Sequence, residues 1–159
     1  MPLPDIRLAR VSDAEGIARL TSQLGYELQA SAAAERLSRL LARPDHEFFV
    51  ADVDGHVAGW LHATVLEYVE SGPFVVIGGL VVDEDHRRKG VGRLLMEHAE
   101  AWARQQGCSI VRLWSSAART AAHRFYEELG YTNIKTQYSF IKSLDGAGDP
   151  QLQMFIPAL

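Results

Sequence analysis

A chain of 159 residues with 47% hydrophobic and 23% charged side chains can bury a core of its own and has the balance of an ordinary globular protein. Its formal net charge of −4 argues against general nucleic-acid binding, which shows as a basic excess, and fits loosely with a cationic small-molecule partner. The single cysteine, Cys108, excludes an intrachain disulfide and suits a reducing compartment. MPLPDIRLARVSD carries no apolar signal-peptide core and the longest apolar run, FVVIGGLVV, is too short to span a bilayer, so a cytoplasmic location without membrane contact is expected.

In chain order, IRLARV alternates like a strand. SDAEGIARLTSQLG opens a helix with Ser12 or Asp13 as its cap, and Ile17, Leu20 and Leu24 fall at helical spacing. A second helix, AAERLSRLLAR, carries Leu37, Leu40 and Leu41 and stops before Pro44. HEFFVADVDGHVAGWLHATVL reads as two strands joined by the hairpin dipeptide Asp54-Gly55. After Ser71-Gly72-Pro73, FVVIGGLVVDED is apolar on both faces, which places it centrally in the sheet. Gly78-Gly79 within it marks a bulge, a close approach of substrate, or packing under a bulky neighbour such as Trp60 or Trp114.

A long helix follows, with Val91, Leu94, Leu95, His98, Ala99 and Trp102 on its apolar stripe and its end near Gly107. CSIVRLWSS is expected as a strand with Cys108 packing at its start. AARTAAHRFYEELGY is expected as a helix presenting Ala122, Phe125, Tyr126 and Leu129, with Gly130 as its stop. TQYSFIKSL is expected to close the fold as a strand, and DGAGDP as a flexible break before the apolar tail QLQMFIPAL. The order is β-α-α-β-β-β-α-β-α-β(-β), a mixed sheet with helices on its faces. Residues 1–144 form the expected domain, and 145–159 a tail that is flexible or sits at an oligomer interface, such as that of a homodimer.

The chemistry concentrates in DEDHRRKGVGRLLMEH, residues 83–98. A helix begins at Gly90 to Gly92, yet no Ser, Thr, Asp or Asn stands at its first turn to satisfy the free backbone N–H groups. A strand feeding a glycine turn and a helix N-terminus is an anion site, and Arg87, Arg88, Lys89 and Arg93 add positive charge. A ligand phosphate acting as the cap is the reading that explains both features. The P-loop pattern is absent. The dinucleotide fingerprint fails because Leu95 stands where a third Gly or Ala belongs.

Arg87-Arg88-Lys89-Gly90-Val91-Gly92 fits Arg-x-x-Gly-x-Gly, and in this setting it resembles the pyrophosphate-binding motif of the GNAT-type acetyl-CoA-dependent N-acetyltransferases. GLVVDEDHRRKGVGRLLMEHAEAWARQQGC looks like that family's central strand, turn and helix. SIVRLWSS with AARTAAHRFYEELGY looks like its next strand and helix, and the likeness covers roughly residues 5–144. The resemblance implies a mostly antiparallel GNAT-like sheet of six to seven strands with about four helices. It also implies coenzyme A pyrophosphate on the amides of Arg88 to Arg93, and a pantetheine arm paired like an added strand with the backbone of Leu80, Val81 and Val82. By the same resemblance, Tyr126 would protonate the departing thiolate, whereas its position on an apolar helix face reads as core packing.

Arg119 stands where many members carry a cofactor-touching asparagine, and it either reaches a phosphate or is exposed. Ser115 and Ser116 are possible polar contacts nearby. The strand glutamate that some relatives use as general base is missing, since Val75, Val76 and Ile77 occupy that region. Glu67, with Tyr68 and Glu70, is a candidate base or substrate contact, or plain surface. The six histidines form no metal pattern, and His86 and His123 are expected at the surface near the cofactor groove. The expected activity is acetyl transfer from acetyl-CoA to a primary amine, without metal, by direct attack in a ternary complex. The acceptor is a small-molecule amine or a protein N-terminus, and the alternative is a non-catalytic acyl-CoA-binding sensor or regulatory module.

Overall fold

The computed structural model describes residues 2–146, in two compact units, the first ending at Trp114 and the second beginning at Ser115. In the first unit, strand β1 (Asp5–Leu8) leads through a 3-10 turn (Val11–Asp13) to helices α1 (Ala14–Ser22) and α2 (Ala30–Leu41). Strands β2 (His46–Val53), β3 (His56–Tyr68) and β4 (Gly72–Val82) follow, then helix α3 (Val91–Gln105) and strand β5 (Val111–Leu113). Helix α4 (Thr120–Glu128) belongs to the second unit. The sheet runs β1-β2-β3-β4-β5, antiparallel except for the parallel pair β4–β5. A mixed, mostly antiparallel sheet with four helices is what the sequence leads one to expect.

Strand alternation divides the apolar residues of β2 to β4 between two faces. On one, Phe48, Val50, Val57 and Val81 pack with Ile17, Leu20 and Leu37 of α1 and α2. On the other lies α3: a Cβ on Gly59 would meet Leu95 Cδ1 and Val91 Cγ1 at 3.2 Å. Asp54 and Gly55 both take positive φ, 51° and 82°, as the predicted two-residue hairpin turn requires. Both α3 and α4 end in the glycine-terminated pattern foreseen. Cys108 N donates to Ala103 O at 2.9 Å beyond Gly107, and Tyr131 N to Tyr126 O at 3.0 Å beyond Gly130.

Four expectations are corrected. The sheet has five strands among the described residues rather than six or seven, because 136–144 forms none. Tyr138 and Phe140 are 91% and 92% exposed there, and β propensity builds a strand only where a neighbouring edge offers a ladder. The strand expected over CSIVRLWSS is confined to Val111–Leu113, so the buried Cys108 precedes it. On α3, His98 is exposed and its Nδ1 donates to Leu94 O, while Met96 is buried. Asp13 does not cap α1 with its side chain. Its carboxylate accepts from Arg10 N at 2.7 Å and from Arg7 at 2.9 Å, and Arg7 also bridges to Asp52 at 3.0 Å. The tail beyond residue 146 lies outside the described residues.

Candidate active site

The middle of β4 is irregular. Its register against β3 shifts between His62↔Gly79 and Ala63↔Ile77, which leaves Gly78 as the extra residue of a bulge. Gly79 has a separate reason to be glycine, since a Cβ there would lie 2.6 Å from Trp60 Cζ3. The bulge and the bulky-neighbour explanations therefore both hold, at adjacent residues. The ladder from β4 to β5 covers only Val75↔Val111 to Ile77↔Leu113. Past Ile77, the paired neighbour of β4 in the sheet is β3, and Leu80, Val81 and Val82 offer one backbone edge without a β5 partner.

After β4 the chain is anchored before it turns. Asp83, 7% exposed, accepts from Arg19 Nη1 at 3.1 Å and from Gln23 Nε2 at 3.3 Å, both on or next to α1. Burial pushes its carboxyl up, but the hydrogen bonds from Gln23, Arg19 and the Asp85 amide outweigh this and hold it below the usual carboxylate range. Arg88 then adopts φ 61° and Gly90 φ 81°, two left-handed residues around Lys89. Such a conformation costs a non-glycine residue about 1–2 kcal/mol, so Arg88 is held there by its surroundings. Arg87 Nε donates to Val82 O at 3.2 Å and Lys89 Nζ to Asp85 O at 2.7 Å, which ties the turn back on itself.

The helix start itself is as bare as its sequence suggests. Gly90 is the cap residue of α3 and no side chain caps the helix; Leu94 N, bonded to Gly90 O at 3.1 Å, is preceded by the amides of Val91, Gly92 and Arg93. Arg87, Arg88, Lys89 and Gly90 are all exposed, as is Arg93. Uncapped amides at the positive end of a fifteen-residue helix, behind two left-handed residues and among four cations, suit an anionic group. His86, expected at the surface, is half-buried, and its Nδ1 stands 3.9 Å from Asp83 Oδ2 without a hydrogen bond.

A second set of groups lines the α1–α2 face beside the bulge. His46 and His62 stack with ring centroids 5.1 Å apart, and His46 Nδ1 lies 2.8 Å from His62 Nε2. Phe48 stacks on both His62 and Trp60, and Trp60 Nε1 is buried without a partner among the described residues. Burial first, and the His46 ring second, push His62 down to about 4. Glu67 is exposed and pairs with Pro73, five residues along β4 from Gly78, or about 16 Å at the rise of a strand.

In the second unit, Tyr126 of α4 is half-buried and packs edge-on with Phe125 at 5.1 Å and Tyr131 at 6.0 Å. Burial pushes its phenol up and the Arg119 charge opposes this, so the group keeps its proton at neutral pH. Arg119 is exposed at the start of α4. Ser116 Oγ accepts from Ala118 N at 3.4 Å, and Ser116 O bonds His123 Nε2 at 2.9 Å, so this serine serves the turn into α4.

Residues 15–131 match the family model described as Acetyltransferase (GNAT) family. The chain belongs to this family. Among its relatives, an uncharacterized N-acetyltransferase of Chlorobaculum tepidum is 32% identical over 140 residues, 87% of this chain and 83% of that one. An aminoglycoside N(6')-acetyltransferase type 1 of Stenotrophomonas maltophilia is 31% identical over 147 residues, 89% and 95% of the two chains. Among solved structures, AAC(6')-Iy in complex with the bisubstrate analogue CoA-S-monomethyl-acetylneamine superposes with a TM-score of 0.80. It shares 23% identity, covering 89% of this chain and 99% of that one, and so shares the fold. This GNAT protein is an N-acetyltransferase, as its relatives are named.

Sequence reading of this acetyltransferase missed the His46–His62 pair, because their meeting depends on a second bulge. The β2–β3 register shifts between Ala51 and Asp52, so that Phe48 faces His62 and His46 faces Thr64. An unshifted hairpin from Val53↔His56 would pair His62 with Glu47 and put the two histidines on opposite faces.

Proposed function

We propose that the protein transfers the acetyl group of acetyl-CoA to the primary amine of a small cationic acceptor, by direct attack in a ternary complex. The observation that carries this is the start of α3, whose amides lack a cap behind the left-handed residues Arg88 and Gly90. The amides of Arg88, Lys89, Gly90, Val91, Gly92 and Arg93 bind the pyrophosphate, and the cations Arg87, Arg88, Lys89 and Arg93 balance its charge. Arg119 adds a further contact to phosphate. The open backbone edge of Leu80, Val81 and Val82 pairs with the pantetheine amides as an added strand would. Acetyl-CoA supplies an acyl group already activated as a thioester.

Tyr126 gives its proton to the leaving thiolate, and its raised affinity for that proton keeps the donor loaded. Glu67, exposed at the end of β3, attracts the cationic acceptor or meets it directly. Relatives named aminoglycoside N(6')-acetyltransferases and the net charge of −4 both favour such an acceptor over a protein N-terminus. The buried, apolar Val75 to Ile77 leave no strand carboxylate, which favours as second reading a module that binds acyl-CoA without turnover. Thiol release from acetyl-CoA, followed across aminoglycosides, polyamines, amino acids and peptides, separates the two. Turnover with one class supports transfer; coenzyme A binding with no turnover across the panel supports the second reading.

A further inference from the structure

The family assignment leaves open what orients the acceptor nitrogen, and the β2–β3 face holds a chain of hydrogen-bonding groups that starts from an obligate acceptor. Start at the Asp45 carbonyl oxygen, which can only accept. Thr64 Oγ1 donates to it at 3.0 Å, which leaves the hydroxyl lone pairs free to accept. His46 Nε2 lies 3.5 Å from that hydroxyl and 3.8 Å from Asp45 Oδ1, two acceptors that favour the His46 proton on Nε2 and the lone pair on Nδ1. His46 Nδ1 then accepts from His62 Nε2 at 2.8 Å, which obliges His62 to keep its proton on Nε2. The chain of donors therefore ends in a lone pair on His62 Nδ1, and that nitrogen has no hydrogen-bond partner among the described residues.

The lone pair is placed where a substrate can reach it. A Cβ built on Gly78 would lie 3.6 Å from His62 Nδ1, and Gly78, the bulged residue, is exposed. The bulge leads directly into Leu80, Val81 and Val82, the backbone assigned above to the pantetheine arm.

We propose that His62 Nδ1 accepts a hydrogen bond from the attacking nitrogen of the acceptor amine, with His46 and Thr64 as the positioning residues that hold its lone pair outward. The inference rests on acetyl transfer to a primary amine as proposed above. A neutral amine has two N–H bonds and one lone pair. Giving one N–H to His62 leaves the nitrogen lone pair free to face the thioester carbon. A histidine with its proton on Nδ1 would instead donate to that lone pair and block the attack. The charged groups near the pair are Asp45, 3.8 Å from His46 Nε2, and Arg43, which itself binds Asp45 at 2.9 Å. They bear on His46 in opposite senses, and a charge on either ring would oppose one on the other.

The test compares three variants of the full chain with wild type, using thiol release with a turned-over amine and thermal shift with acetyl-CoA. His62→Phe keeps the ring stack and removes the lone pair. It is expected to lower kcat roughly 10- to 100-fold while the acetyl-CoA shift is retained. Thr64→Val removes the hydroxyl that fixes His46, with an expected loss of about three- to tenfold, and Thr64→Ser should restore it. Nitrogen-15 spectra of the imidazoles give a readout free of activity: His62 should carry its proton on Nε2 at neutral pH, and a proton on Nδ1 overturns the proposal. Wild-type kcat and KM for the amine in His62→Phe overturn it as well. Should His62→Phe not fold, the threonine pair decides, and an unaltered Thr64→Val is the overturning result. Absence of turnover by the wild type with any amine removes the underlying reading and this inference with it, whereas turnover by wild type and His62→Phe alike removes this inference only.

Discussion

Tyr126 and His62 illustrate opposite uses of burial. A phenol that loses water around it holds its proton more firmly, and an imidazole in the same position gives its proton up. For Tyr126 the consequence is a loaded acid, and Tyr126→Phe is expected to lower kcat roughly 10- to 1000-fold with acetyl-CoA affinity nearly unchanged. Unchanged turnover in that variant would remove the residue from the reaction. For His62 the consequence includes stability. Its folded pKa of about 4 lies below the usual value near 6.5, so above pH 6.5 both folded and unfolded states are neutral and the site adds no pH dependence. As pH falls from 6.5 towards 4 the unfolded chain takes up a proton that the fold refuses, and up to about 3 kcal/mol of stability is lost. Denaturant melts across that range should show the loss, and His62→Phe should flatten it. The two adjacent glycines of β4 separate at this scale too. Gly79→Ala drives a methyl into the Trp60 ring and should destabilise the fold by about 1–3 kcal/mol. Gly78→Ala meets only an ordinary contact with His62, so stability should barely change while KM for the amine rises.

Among the elements, β4 and α3 were the most legible from sequence, because each signal there is local. An apolar run without alternation, two glycines and an uncapped amphipathic pattern need only their own neighbours to be interpreted. The hairpin at Asp54-Gly55 was legible for the same reason, but not the bulge at Ala58 that decides which face His46 shares with His62. Unlike the bulge at Gly78, it falls on an alanine and depends on how two strands pair. The segment 136–144 failed in the other direction: its alternation satisfies a strand template, yet Tyr138 and Phe140 stand exposed without a ladder. What holds β4 to α1 was equally hidden, since Arg19 and Asp83 are far apart in sequence and meet at 3.1 Å. That contact argues for a test of the turn it anchors. Asp83→Ala takes a buried acceptor away from the exposed Arg19 and the half-buried Gln23, which should cost about 1–2 kcal/mol. If the Asp83 network also fixes the path into Arg88 and Gly90, the variant should bind coenzyme A more weakly than its lost stability explains. Equal affinity at a temperature where both proteins are folded would confine Asp83 to a structural role.

At the scale of the whole molecule, binding and stability are one measurement. A ligand that binds only the folded chain at 100 times its Kd adds about 2.7 kcal/mol, which for a protein of this size is a rise in Tm of roughly 5–10 °C. The start of α3 and the open edge of β4 belong to the same compact unit, so a ligand that spans both must report on that unit's folding. Acetyl-CoA and free coenzyme A share the pyrophosphate and the pantetheine arm, and both are expected to raise Tm by similar amounts. ATP offers phosphates without a pantetheine arm, and NAD a pyrophosphate without one. If the helix terminus alone supplied the affinity, these two would raise Tm as well. Silence from ATP and NAD beside a clear shift with both coenzyme A forms would therefore assign part of the binding to the Leu80–Val82 edge. Proline at position 82 would then be the decisive variant: Asp83 N bonds Ala58 O on the β3 side, so the amide of Val82 points the other way and the substitution removes a donor of the open edge. Its coenzyme A shift should fall while the response to pH at His62 remains.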